Sequence, residues 1–149
     1  MAVEKIFTRP APGSPQTEHP VVHIVAGSGI QGDRYFDRHD EPGQNISFIE
    51  AEEIEAFLTE QGLPLDLSVS GRNVVTRGVR LNDLVGQEFV VGGLRFLGVE
   101  LCEPCLGLGE KLATLAVPPA QVVKRLLHKA GLRANALSSG ELGLGAAFS

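Results

Sequence analysis

The chain has 149 residues, of which 43% are hydrophobic and 21% charged, and its formal net charge at pH 7 is −5. This length allows one core of ordinary size, so we expect a single domain over residues 1–149. The negative charge, without a basic block, argues against nucleic acid as a partner. No apolar run approaches the roughly 20 residues that cross a bilayer, and the first residues carry no secretory signal. We therefore expect a cytoplasmic protein that has no membrane partner.

Short apolar runs separated by glycines predict a chain made mainly of strands. Residues 9–20 contain four of the nine prolines and are expected to form an exposed loop. Strands are predicted, in chain order, at 3–7, 21–25, 45–49, 73–76, 98–101 and 132–137. Between 88 and 97, two apolar runs flank Gly92-Gly93, a two-residue loop that predicts a β-hairpin because its glycines supply positive φ.

Two stretches show the apolar periodicity of helices. The first runs from Glu50 to Glu60, and Ser47 could cap its start or belong to the preceding strand. The second runs from Pro119 to Ala130, with basic residues near its end. Because the strands do not alternate regularly with helices, we expect a mainly β fold with flanking helices (α+β), built as a partly closed barrel.

The segment Cys102-Glu103-Pro104-Cys105 is the sharpest candidate for chemistry. It follows a predicted strand and precedes a glycine-rich stretch, where a thiol can meet a ligand. From the residues alone, four interpretations stay open: two small buried hydrophobes, a zinc site, a redox pair, or a single working cysteine. Pro104 turns the chain out of the strand, so Cys105 is predicted to be the reactive thiol and Cys102 to be largely structural.

Two polar segments are further candidates. Asp33 and Arg34 stand at the exit of a glycine-framed turn, and Arg72 and Asn73 enter a short apolar strand. Arginine offers a planar fork of donors to phosphate, and asparagine both donates and accepts hydrogen bonds. Each segment alone also fits an ordinary turn or a polar strand entrance.

In their order and spacing, these segments resemble the MOSC domain, the C-terminal domain of molybdenum cofactor sulfurases, which also occurs as small stand-alone proteins. The resemblance starts near residues 3–7 and is carried by residues 29–34, 44–49, 71–78, 81–89, 102–105 and 128–134. It implies a β-rich barrel with peripheral helices. Cys105 matches the family's cysteine, which is thought to carry sulfur as a persulfide or to ligate molybdenum in a bound pterin cofactor. Arg72, Asn73, Asp33 and Arg34 match its polar elements and are the implied cofactor-binding residues.

The resemblance implies that the chain binds the molybdenum cofactor (molybdopterin) or acts as a sulfur carrier through Cys105, which would hold the molybdenum ion through the cofactor. The protein would be a sulfur-transfer accessory, or part of a molybdenum-dependent reductase with a redox or sulfur-donor protein as partner. The pyridoxal-phosphate domain of full sulfurases is not in this sequence, so no pyridoxal phosphate is expected in this chain. The alternative is a non-catalytic module that binds a small anion or has a structural or interaction role.

Overall fold

The computed structural model describes residues 1–11, 13–37, 45–102 and 118–149. Within these residues the chain forms ten strands, two α-helices and one 3₁₀ turn. In chain order they are β1 (Ala2–Thr8), β2 (Thr17–Glu18), β3 (Val21–Val25), β4 (Gly29–Ile30), β5 (Ile46–Glu50), α1 (Ala51–Glu60), β6 (Val74–Arg77), the 3₁₀ turn (Leu81–Leu84), β7 (Glu88–Val91), β8 (Leu94–Leu101), α2 (Pro119–Leu126), β9 (Leu132–Ala136) and β10 (Gly140–Gly143). None of the helices described is long and apolar enough to cross a membrane.

Seven strands form the main sheet in the order β2-β1-β6-β5-β9-β8-β7, and three form a small sheet in the order β10-β3-β4. Neighbouring strands of the main sheet are antiparallel except for the parallel pair of β5 and β6. A parallel pair needs a crossover connection, and α1 lies within this one. The expected mainly β fold with flanking helices is confirmed.

Within the described residues, no regular strand closes the main sheet into a barrel. Instead, residues 145–149 join β7, at one edge, to β1, near the other edge. Isolated bridges pair Ala147 with Ala2 and Phe148 with Val91. The N–H groups of Val3 and Gly92 donate to the carbonyl oxygens of Ala146 and Ala147, each at 2.9 Å. The closure is therefore partial and made by a short terminal segment.

The main sheet separates two apolar clusters. One lies between the main sheet and the small sheet and includes Ile24, Phe48, Val74, Leu132 and Leu142. The other lies between the main sheet and the helices and includes Ile49, Phe57, Val75, Val122 and Leu126. Because alternate residues of a strand point to opposite faces, β1, β5 and β6 contribute to both clusters.

The predicted hairpin is confirmed, since Val91 pairs with Leu94 around Gly92 and Gly93, whose φ values are 56° and 81°. Ser47 lies in β5, and no side chain caps the start of α1.

The second helix ends at Leu126, four residues before its predicted end. His128 has a φ of 62°, outside the helical region, and the carbonyl oxygen of Ala130 accepts a hydrogen bond from Arg72 Nε. A tertiary contact and a left-handed residue thus replace the last predicted turn of the helix.

Candidate functional site

Three of the predicted site residues line one pocket. Arg34, Arg72 and Asn73 surround it together with Cys102 and Arg133, and we call it the arginine pocket. Tyr35, Ile46, Ser47 and Gly71 complete its lining. Asp33 is not among the lining residues, and Cys105 lies outside the described residues, so the structure does not place it.

The main sheet positions the pocket on its helix-covered face. Ser47 of β5 and Arg133 of β9 are partners in the antiparallel register. Each stands between two residues whose side chains point into the cluster between the two sheets. Both side chains therefore project to the opposite face of the main sheet, towards the helices. Cys102 directly follows β8, and its N–H donates to the carbonyl oxygen of Gly131 at 2.8 Å. Strand ends that are distant in sequence therefore meet here.

Arg72 is half-buried and fixed at one side of its guanidinium. Its Nε donates to the carbonyl oxygen of Ala130 at 2.9 Å, and its backbone N–H donates to Ser70 Oγ at 3.2 Å. Among the described residues, no acceptor is recorded for the two Nη groups of Arg72. This arrangement orients the guanidinium while leaving the Nη groups able to donate to an anion.

Arg34 is held by its neighbour Tyr35. Its Nη2 donates to the Tyr35 hydroxyl at 3.0 Å, and the guanidinium carbon lies 4.6 Å from the centroid of the tyrosine ring. A guanidinium over the face of an aromatic ring is attracted by the ring quadrupole, which helps to fix its position. Arg34 therefore brings a second oriented cation to the pocket.

Asp33 shapes the turn that carries Arg34. It is buried, and its two carboxylate oxygens accept the backbone N–H groups of Arg9 at 3.0 Å and Tyr35 at 3.2 Å. The backbone N–H of Arg34 donates to the carbonyl oxygen of Arg9 at 2.9 Å. Both carboxylate oxygens are thus hydrogen-bonded to backbone N–H groups, which makes Asp33 a positioning residue for Arg34.

Asn73 is buried and its side chain joins three strands. Its Oδ1 accepts from the backbone N–H and the hydroxyl of Ser47, and its Nδ2 donates to the carbonyl oxygen of Phe7. Most of its hydrogen-bonding capacity is used within the protein. Asn73 therefore holds the wall of the pocket together.

Cys102 is a buried thiol beside two cations. Burial raises the pKa of the Cys102 thiol, and the nearby charges of Arg72 and Arg133, with a hydrogen bond from Arg133, oppose that rise. Arg133 was not predicted as a site residue. Its signal in the sequence was a charged residue between the apolar Leu132 and Ala134 of a predicted strand, a pattern shared by solvent-facing positions.

The donor set of the pocket suits an anion. In the part of the chain that the structure describes, no three His, Cys, Asp or Glu side chains converge to hold a metal ion. Three guanidiniums match the phosphate of a pterin cofactor, because arginine binds phosphate through paired donors. The cavity measures about 40 Å³, whereas one water needs about 10–15 Å³. The cavity therefore has space for a small anionic group such as a phosphate.

Comparisons with known proteins agree with this fold. A sequence model of the MOSC domain matches residues 36–149. The YuaD protein of Bacillus subtilis has a similar structure, with a TM-score of 0.81 and 18% identity, covering 97% of this chain and 92% of YuaD. YiiM from Geobacillus stearothermophilus has a TM-score of 0.71 and 18% identity, covering 99% of this chain and 73% of YiiM. YiiM from Escherichia coli has a TM-score of 0.67 and 16% identity, covering 100% of this chain and 69% of that protein. No curated protein sequence matches the chain significantly.

Proposed function

Because this chain belongs to the MOSC domain family, whose members are associated with molybdenum-cofactor biology, we propose that it binds the molybdenum cofactor or carries sulfur for it, with Cys105 as the working thiol. The observation that best supports this function is the convergence of Arg34, Arg72 and Arg133 on one pocket. The buried thiol of Cys102 lines the same pocket and precedes Cys105 by three positions in the sequence.

The arginines and the cysteine have separate roles in this proposal. Arg34, Arg72 and Arg133 hold the anionic phosphate of the cofactor, and Asn73 and Asp33 keep the surrounding backbone in place. The thiolate of Cys105 ligates molybdenum or holds the transferred sulfur, since the thiolate is the form of cysteine that does both. The bound cofactor would supply a redox-active molybdenum centre. A redox or sulfur-donor protein would complete the reaction.

The small volume of the arginine pocket favours a second candidate function. A cavity of about 40 Å³ with three cations also fits a module that binds a small inorganic anion and does no chemistry. In that case Cys105 would bind neither molybdenum nor transferred sulfur. The two functions differ in what the purified protein carries.

The test is to purify the full chain from a host that makes the cofactor and to measure molybdenum, oxidised pterin fluorescence and sulfane sulfur per protein. We expect Cys105→Ser to remove the molybdenum or the sulfane sulfur, and Cys102→Ser to retain it. Arg72→Gln should lower the pterin content several-fold. The matched control is Arg95→Gln, which removes an equally charged but exposed side chain.

Two outcomes would count against the proposal. If wild-type protein holds none of the three components and yet binds phosphate through Arg72, the small-anion function is correct. If Cys102→Ser removes the molybdenum or the sulfane sulfur while Cys105→Ser does not, the roles of the two thiols are reversed.

A further inference from the structure

Arg9 lies beside the wall of the arginine pocket. Its side chain reaches towards Gly71, and its Nη2 lies 3.9 Å from the position that a Cβ atom of Gly71 would occupy. Gly71 lines the arginine pocket and is directly followed by Arg72. The backbone of Arg9 is fixed to the turn that carries Arg34, through Asp33 and the N–H of Arg34. A fourth guanidinium is therefore held next to the three that line the pocket.

Arg9 also lines a separate, open cleft, which we call the Arg9 cleft. The cleft measures about 510 Å³ and is lined by Arg9, Gly13, Ser14, Pro15, Gln16 and Ser68. Two of its residues have buried polar atoms without a hydrogen-bond partner in the described structure, Nε of Arg9 and Oε1 of Gln16. A buried polar atom that lacks a partner is destabilising, so such atoms are rare in native proteins. The two unpartnered atoms, a donor on Arg9 and an acceptor on Gln16, are the reason for considering a polar ligand in this cleft.

We propose that the Arg9 cleft is a second anion subsite, which takes the second anionic group of a ligand whose first anionic group occupies the arginine pocket. The chemical class of this ligand is a molecule with linked phosphate groups. The inference rests on the anion-binding role proposed for the arginine pocket.

The chemistry of the cleft suits a phosphate group. Arg9 offers guanidinium donors to phosphate oxygens. The unpartnered atom of Gln16 is Oε1, an acceptor, so Gln16 donates to a phosphate only through its amide NH2 group. The hydroxyls of Ser14 and Ser68 also stand in the lining. The net charge of the chain is −5, so a long-range positive field does not attract anions, and the local arginines must supply the selectivity.

The experiment compares phosphates of increasing length on the full chain. Orthophosphate, pyrophosphate and tripolyphosphate are titrated by calorimetry at one low ionic strength, because salt screens exposed charges. A ligand that engages both subsites gains effective concentration, so pyrophosphate or tripolyphosphate should bind at least about tenfold more tightly than orthophosphate. Arg9→Gln should abolish this gain, so that the affinities for the three phosphates come together.

Three further variants make the result specific. Arg9→Lys retains the charge and should restore part of the gain, which separates loss of the cation from loss of folding. Arg95→Gln, an exposed and remote charge removal, should leave the affinity for every phosphate unchanged. Arg72→Gln should weaken the binding of all three ligands.

The outcomes distinguish the two proposals. The second subsite would be overturned if wild type showed no preference for the longer phosphates. It would also be overturned if that preference persisted in Arg9→Gln. If Arg72→Gln left the affinity for orthophosphate unchanged, the anion-binding role of the arginine pocket would instead be refuted.

Discussion

The backbone of Gly131 lies so close to the carbonyl group of Phe48 that no Cβ atom fits between them. Gly131 has a φ of 108°, a backbone conformation that residues other than glycine rarely adopt. It immediately precedes β9, the strand that carries Arg133, and its carbonyl oxygen accepts the N–H of Cys102. The missing side chain at this position thus lets two walls of the arginine pocket approach each other.

Replacing Gly131 with alanine should therefore be severely destabilising. We expect Gly131→Ala to lower the free energy of unfolding by about 2–5 kcal/mol, since a strained φ costs about 1–2 kcal/mol and overpacking adds about 1–3 kcal/mol. Gly86→Ala is the matched control, because Gly86 has a φ of 75° and no atom within 4 Å of its Cβ position. Urea unfolding measures both, and equal losses would show that the contact with Phe48 is unimportant.

Asn73 should be needed for the stability of the sheet rather than only for binding. Three hydrogen bonds join it to Ser47, and a fourth reaches the carbonyl oxygen of Phe7. Asn73→Ala leaves buried groups without partners, so the free energy of unfolding should fall by about 2–4 kcal/mol, within the range for such losses. Asn82→Ala, at an exposed position, should cost under about 0.5 kcal/mol by the same assay. Similar values for the two variants would contradict the structural role.

The end of α2 offers a matched pair of leucines. Leu126 is 7% exposed and packs in the cluster under the helices, whereas the adjacent Leu127 is 47% exposed. Leu126→Ala should cost about 2–5 kcal/mol and Leu127→Ala under about 0.5 kcal/mol. Thermal melting of both variants tests this, and a melting temperature unaffected by Leu126→Ala would place α2 outside the core.

The buried thiol of Cys102 should make stability depend on alkaline pH. Burial raises its pKa in the folded state, so the folded protein holds the thiol proton more tightly than the unfolded chain does. That contribution is fully present below the ordinary thiol pKa of about 8.5 and is lost as pH rises through the raised value. Between about pH 8 and pH 10, the melting temperature of wild type should therefore fall more than that of Cys102→Ala. Parallel curves would mean that the thiol is not perturbed by folding.

Local patterns were enough to predict much of the fold. Gly92-Gly93 predicted its hairpin, and the apolar runs predicted the longer strands, because both signals depend on neighbouring residues. The strands β2, β4 and β10 have only two to four residues each, and β2 lies within a segment predicted as a loop. Such short strands are defined by their partners, which are distant in sequence, rather than by their own composition.

The candidate site could be predicted only in part for the same reason. The resemblance implied that Arg34, Arg72 and Asn73 bind a cofactor, and the structure shows that the three line one pocket. The resemblance could not show that Asn73 and Asp33 direct polar groups to the backbone. Arg133 enters the pocket through its register opposite Ser47, and a single strand sequence does not contain that register. The pocket position of Cys102 likewise depends on its hydrogen bond to Gly131.

The bridging segment 145–149 has a consequence for folding kinetics. It pairs Ala147 with Ala2 and Phe148 with Val91, so the bridge to β1 joins residues from opposite ends of the sequence. Contacts of such high sequence separation raise the contact order and form slowly, because a long loop must close first. Until this segment docks, the outer edge of β7 and the start of β1 both present unpaired backbone groups. Refolding at high protein concentration should therefore lose material to aggregation early, before the segment has covered both edges.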